Sequence, residues 1–95
     1  MTRIVWTEPA LQDLGSIRGY IARDSEVYAN ALVLEIVEAV EGLARFPRLG
    51  RFVPELHDGH TREIVVGNYR VVYDTVGDVM RVLTVLHGAR RFPLS

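Results

Sequence analysis

Thr61 to Arg91 reads TREIVVGNYRVVYDTVGDVMRVLTVLHGARR. Three runs rich in β-branched and aromatic residues are separated by Gly67-Asn68 and Gly77-Asp78. Such a pair between such runs marks a two-residue hairpin turn, because glycine reaches positive φ without steric cost. Two turns in succession predict a three-stranded antiparallel meander, with strands near 61–66, 69–76 and 79–87. Two-residue turns also set the register. Val66 then faces Tyr69 and Ile64 faces Val71. Val76 faces Val79, Asp74 faces Arg81, Val72 faces Leu83, Arg70 faces Val85 and Asn68 faces His87. Cross-strand partners share a face. One face therefore carries Ile64, Val66, Tyr69, Val71, Tyr73, Met80, Val82, Thr84 and Leu86, and this apolar surface has to be covered. The other carries Glu63, Val65, Arg70, Val72, Asp74, Arg81, Leu83, Val85 and His87. A slip of one residue would exchange the faces of a whole strand.

The cover lies upstream. Arg3 to Trp6 reads as a short first strand, and Thr7 can cap a helix whose first turn holds Glu8 and Pro9. Ala10, Leu14, Ile17 and Ile21 recur on one helical face, widened by Leu11 and Tyr20. Gly15 costs roughly 1 kcal/mol inside a helix, which suggests close packing there. Asp24-Ser25 interrupts the pattern and offers a second N-cap. The next helix runs to about Phe46, before Pro47. Leu32, Ile36, Ala39, Val40 and Leu43 form its main face, with Val33, Val37 and Ala44 beyond it. A short break between two helices predicts an antiparallel helical hairpin. Residues 47–60 hold two prolines and two glycines without periodicity, and read as a loop. The order β-α-α-β-β-β is that of an α+β domain: an N-terminal strand, then a helical hairpin packed on one face of a small antiparallel sheet that contains the meander.

Ninety-five residues allow one small domain spanning 1–95. With 48% hydrophobic and 24% charged residues, the composition is that of a soluble globular protein. The absence of cysteine excludes a disulfide framework and a thiolate zinc site, and fits a reducing cytosol. No run is apolar and long enough to span a membrane, and no signal peptide is expected before the first strand. A net charge of −1 argues against a freely nucleic-acid-binding domain.

Arg70 has two readings. A guanidinium among apolar neighbours is a good phosphate or carboxylate receptor, and it is equally a partner for Glu63 across the sheet. Asp74 and Arg81 read as a cross-strand ion pair. His87, ahead of Arg90 and Arg91, has the chemistry of a general acid near neutral pH, or that of a hydrogen-bonded structural residue. His57 and His60 lie near Glu55 and Asp58, too few and too loosely placed for a metal site. There is no glycine-rich phosphate loop, serine elbow or Asp-x-Asp motif, so no cofactor or metal is expected.

Several short pieces together resemble a known family. They are Trp6-Thr7 with Ala10, Asp13-Leu14, Ile17 and Tyr20-Ile21; Pro47, Gly50-Arg51 and Pro54-Glu55; Arg62-Glu63-Ile64; Tyr69-Arg70-Val71-Val72-Tyr73; and Val85-Leu86-His87-Gly88-Ala89-Arg90. In order and spacing they resemble the RelE/ParE superfamily of bacterial type II toxin–antitoxin toxins, also called plasmid stabilisation proteins. The resemblance implies a helical hairpin on a small sheet, and a cytosolic toxin held inactive by an antitoxin that folds as it wraps its partner. It implies one of two activities. RelE-like members cut mRNA in the ribosome, and on that reading Arg70 supplies charge at the phosphate, with Glu55 and His87 as base and acid. ParE-like members inhibit DNA gyrase.

The chain departs from the nuclease pattern. It is not basic, it has no lysine, and its tail reads HGARRFPLS without a tyrosine. The expected function is therefore a ParE-like gyrase inhibitor, the alternative a RelE-like mRNA endonuclease. Arg81, Arg90, Arg91 and Phe92 are the expected target contacts. The apolar spread of the helices suggests antitoxin contacts at Leu11, Val33 and Val37, with an acidic antitoxin side chain reaching Arg70 or Arg81.

Overall fold

Thr7 turns the chain from strand into helix. Its backbone is extended and its hydroxyl accepts from the Ala10 N–H, as an N-cap does. The same hydroxyl donates to the Val82 carbonyl at 2.7 Å, tying the cap to the sheet. In the computed structural model, which describes residues 2–89, this joint lies between β1 (Arg3–Trp6) and α1 (Glu8–Ala22). Ser25 caps α2 (Glu26–Leu43), accepting from the Tyr28 N–H at 3.1 Å. The two helices pack on each other as the predicted hairpin. No described helix is long and apolar enough to cross a membrane.

Among the described residues the sheet has five strands in the order β1-β5-β4-β3-β2, with β2 (Arg51–Phe52), β3 (Arg62–Val66), β4 (Tyr69–Val76) and β5 (Val79–His87). The predicted α+β architecture holds, with two refinements. β2 lies inside the stretch read as loop; its two residues pair with Glu63 and Arg62. β1 runs parallel to β5, with Ile4 opposite Met80, so the sheet is mixed at that edge. Both hairpin turns form as expected. Gly67 and Gly77 have φ of 58° and 60°, while Asn68 and Asp78 stay at negative φ, which is the type II′ arrangement. Gly15, by contrast, does not mark close packing: a Cβ there would meet nothing within 4 Å.

The register holds through the first hairpin and the start of the second, then shifts. Val76 faces Val79, Asp74 faces Arg81 and Tyr73 faces Val82, but Val72 faces Thr84 and not Leu83. Leu83 is the extra residue of a β-bulge, and everything beyond it moves by one place. Arg70 lies opposite Leu86 and not Val85; Tyr69, not Asn68, faces His87. The faces expected for Val85, Leu86 and His87 are thus reversed. Val85 joins the core beneath the helices, and Leu86 packs with Val72 on the far side.

The cause is on α1. Asp13 accepts from the Thr84 hydroxyl and, at 3.1 Å, from the Val85 N–H. A bulge disrupts the ladder locally, and here a helix side chain supplies the partner.

Two apolar clusters result. Between the helices and the sheet lie Ala10, Leu32, Ile36, Val40 and Leu43 with Val66, Val71, Tyr73, Met80, Val82 and Val85, flanked by Leu14, Ile17, Ile21, Ile64 and Tyr69. Each fully buried aliphatic side chain there contributes about 1.5–3 kcal/mol. On the opposite face Val53 and Leu56, from the segment after β2, cover Val72, Leu83 and Leu86.

Candidate functional site

Beneath that covering segment runs a chain of charges. Glu63 of β3 sits opposite Val72, and Arg70 of β4 opposite Val65, so their side chains meet diagonally on one face. Arg70 Nε donates to Glu63 Oε1 at 2.8 Å. Its two terminal nitrogens donate to the two oxygens of Glu55, each at 2.8 Å. Arg51 Nε donates to the other Glu63 oxygen at 2.7 Å. Side-chain exposure is 0% for Glu63 and 7% for Arg70, rises to 16% for Glu55, and reaches 65% for Arg51. Along the bonded order Arg51, Glu63, Arg70, Glu55 the charges alternate in sign, so the buried ones are compensated.

This geometry determines what Arg70 can do. The paired hydrogen bond to Glu55 raises its pKa, reinforced by Glu63 and opposed by burial. Both edges of the guanidinium are occupied by carboxylates, so a phosphate would have to displace one of them. Glu55, read as a possible base, already carries two hydrogen bonds from Arg70.

His87 is elsewhere. The bulge turns it to the helix side of the sheet, where its ring meets Tyr69 edge-on, the ring centres 5.5 Å apart. Its Nδ1 accepts from the Ala89 N–H at 3.2 Å, which leaves the proton of the neutral ring on Nε2. With Asp13, Ser16, Ile17, Tyr20 and Tyr69 it lines a cleft of about 290 Å³. The structure thus brings Glu55 and Arg70 together and sets His87 on the opposite face.

The other predicted contacts within the described residues are dispersed. Arg81 and Asp74 are a two-pronged pair, at 2.9 and 2.6 Å, and this bonding raises the Arg81 pKa. Leu11 is exposed on α1, and Val33 and Val37 are half-buried on α2. Arg70 and Arg81 lie across the sheet from these helices. Arg90, Arg91 and Phe92 lie outside the described residues. His57 and His60 are exposed. Asp58 instead closes a local turn, accepting from the Thr61 hydroxyl and from the Thr61 and His60 N–H groups. Those bonds, the hydroxyl first, hold its pKa at about 2. Among the described residues no three His, Asp or Glu side chains form a metal-sized cluster.

Two structural anchors escaped the sequence reading. Asp13 had a signal, a carboxylate between Ala10 and Ile17 on an apolar helix face, which needs a partner. Tyr73 had none. Its hydroxyl donates to the Pro47 carbonyl at 2.6 Å and accepts from the Gly50 N–H at 2.9 Å.

Comparison with known proteins agrees with this frame. The family described as the ParE toxin of the type II toxin–antitoxin system parDE matches residues 4–92. "Toxin RelE2" of Caulobacter vibrioides is 34% identical over 91 residues, covering 95% of this chain and 99% of that protein. "Putative toxin Y4kP" of Sinorhizobium fredii is 37% identical over 93 residues, covering 96% and 93%. Among solved structures, a chain of the "Chromosomal ParDE TA system from P. aeruginosa" superposes with a TM-score of 0.76 at 23% identity, covering 92% of this chain and 96% of that one, a likeness of fold. A match over nearly the whole chain, on the fold that its own turns and caps dictate, places this protein in the ParE toxin family, among the RelE/ParE toxins of type II toxin–antitoxin systems.

Proposed function

We propose that this toxin acts by occupying a protein target, DNA gyrase, and not by cutting mRNA, and that a cognate antitoxin in the cytoplasm holds it inactive. The observation that carries this reading is the separation of His87 from Arg70 and Glu55 by the sheet. Transfer of a phosphate to a neighbouring 2′-hydroxyl needs a base, an acid and positive charge converging on one phosphate. Here the charge is spent on two carboxylates, the nearest base is one of them, and the acid is on the other face. A binding inhibitor has no such requirement. It needs a shaped surface, for which Arg81 with Arg90, Arg91 and Phe92 are the candidates. The alternative, a ribosome-dependent endonuclease, draws on Arg70, Glu55 and His87 and would require Arg70 to leave its carboxylates.

The test is growth inhibition at matched soluble expression, with DNA synthesis, the SOS response and mRNA integrity followed together. Expected are arrested DNA synthesis with intact mRNA, toxicity largely retained by His87→Ala, and toxicity reduced when the chain is cut before Arg90. Loss of toxicity in His87→Ala, together with loss of codon-phased mRNA cleavage, would overturn the inhibitor reading.

A further inference from the structure

The turn between α2 and β2 exposes what a small domain ordinarily hides. Residues 45–52 read RFPRLGRF, with three arginines and no acid, whereas residues 25–44 hold four glutamates and no base. Phe46 is 67% exposed, Leu49 73% and Phe52 48%. Phe46, Pro47, Arg48 and Leu49 line an open groove of about 620 Å³ with Thr2, Thr75 and Gly77.

This turn is nevertheless held rigidly from inside. The buried Tyr73 hydroxyl bonds to Pro47 and Gly50. Arg62, stacked on Phe52 at 4.1 Å, donates to the carbonyls of Arg48 at 3.3 Å and Gly50 at 2.8 Å. A Cβ on Gly50 would lie 2.5 Å from the Tyr73 hydroxyl, so only glycine allows the approach. Interior groups thus fix a segment whose own side chains bury little. Rigidity of this kind lowers the ordering cost of binding. Aromatic residues and arginine are also what protein interfaces concentrate.

The chemistry selects the occupant. Arg45 and Arg48 form no ion pair among the described residues. Arg48 in the groove wall, unpaired among the described residues, fits a carboxylate next to a leucine or aromatic side chain. An open groove takes an extended segment more readily than the surface of a folded domain. Nucleic acid is disfavoured by the overall charge of −1 and by the glutamates of the adjoining helix. We propose that this groove receives an acidic, apolar-bearing segment of the antitoxin. The inference rests on the reading above that an antitoxin holds the chain.

The experiment pairs growth inhibition with binding of the purified product of the adjacent antitoxin frame. Phe46→Ala/Arg48→Glu changes exposed side chains only, and unchanged circular dichroism checks its fold. It is expected to inhibit growth like the parent chain and to bind the antitoxin about tenfold more weakly or worse, the loss of an interface anchor. Equal antitoxin affinity would overturn the inference. Loss of toxicity with antitoxin binding intact would assign the groove to the target and also overturn it. A short single-stranded RNA bound by the parent and released by Arg48→Glu, with antitoxin affinity unchanged, would make it a nucleic-acid site. If the parent chain itself does not bind that product, the antitoxin reading fails, and the docking proposal falls with it.

Discussion

Arg70→Met removes the centre of the buried charge chain. Glu63, with a side chain 0% exposed, then keeps only Arg51, whose own side chain is 65% exposed. Breaking a buried ion pair from one side costs about 3–5 kcal/mol, because the remaining charge stays desolvated. Against a total stability of roughly 5–15 kcal/mol, that is a large share. In a domain of this size each kcal/mol shifts Tm by about 4–8 °C, so a fall of at least ~12 °C is expected. Arg70→Lys should do almost as badly, since an ammonium cannot present paired donors to two carboxylates at once. The double variant Arg70→Met/Glu63→Met removes the stranded charge along with its partner. It should recover most of the loss, a coupling of about 2 kcal/mol or more between neighbours. The assay is urea and thermal unfolding of the purified variants, with growth inhibition measured in parallel. If Arg70 is structural, toxicity follows folded fraction, and the double variant regains both. A variant of Arg70 that keeps its Tm and urea midpoint yet loses toxicity would refute this account and restore Arg70 as a residue of the working site.

Other substitutions probe the remaining anchors. Tyr73→Phe leaves the Pro47 carbonyl and the Gly50 N–H without their partner, at about 1–3 kcal/mol for each buried group left unpaired. Gly50→Ala places a methyl 2.7 Å from the Glu63 carbonyl as well as against Tyr73, so adding Tyr73→Phe should rescue it only in part, as measured by urea midpoints. Asp13→Ala withdraws both acceptor bonds from the bulge, costs about 1–3 kcal/mol, and should show first as faster amide exchange at Val85. For Asp58 the folded pKa, about 2, lies below the ordinary value of 3.8. Its contribution to stability is therefore present above that ordinary value and is lost as pH falls through about 2. Thr61→Val, which removes the strongest of its hydrogen bonds, should move the NMR titration of Asp58 up toward 3.8 and abolish that part of the acid dependence.

What residues 61–82 alone determined was considerable. Gly67-Asn68 and Gly77-Asp78 force tight turns, and a two-residue turn leaves one register for the strands it joins. Asp74 opposite Arg81, Glu63 diagonal to Arg70, and Tyr73 and Val82 beneath the helices all follow from local chemistry and a period of two. The caps at Thr7 and Ser25 and the apolar faces of the helices are equally local. Past Leu83 the local rules fail, because the bulge that exchanges Val85 with Leu86 has no glycine to announce it. It is held by Asp13, which lies 72 residues from Val85 in the chain. The same distance effect governs the charged face. Glu55 comes from an aperiodic segment, and only the packing of Val53 and Leu56 on Val72 and Leu86 brings it to the guanidinium of Arg70. Residue types named the groups able to carry charge or a proton. Whether they converge depended on long-range contacts in which a single inserted residue turns a side chain to the other side of the sheet.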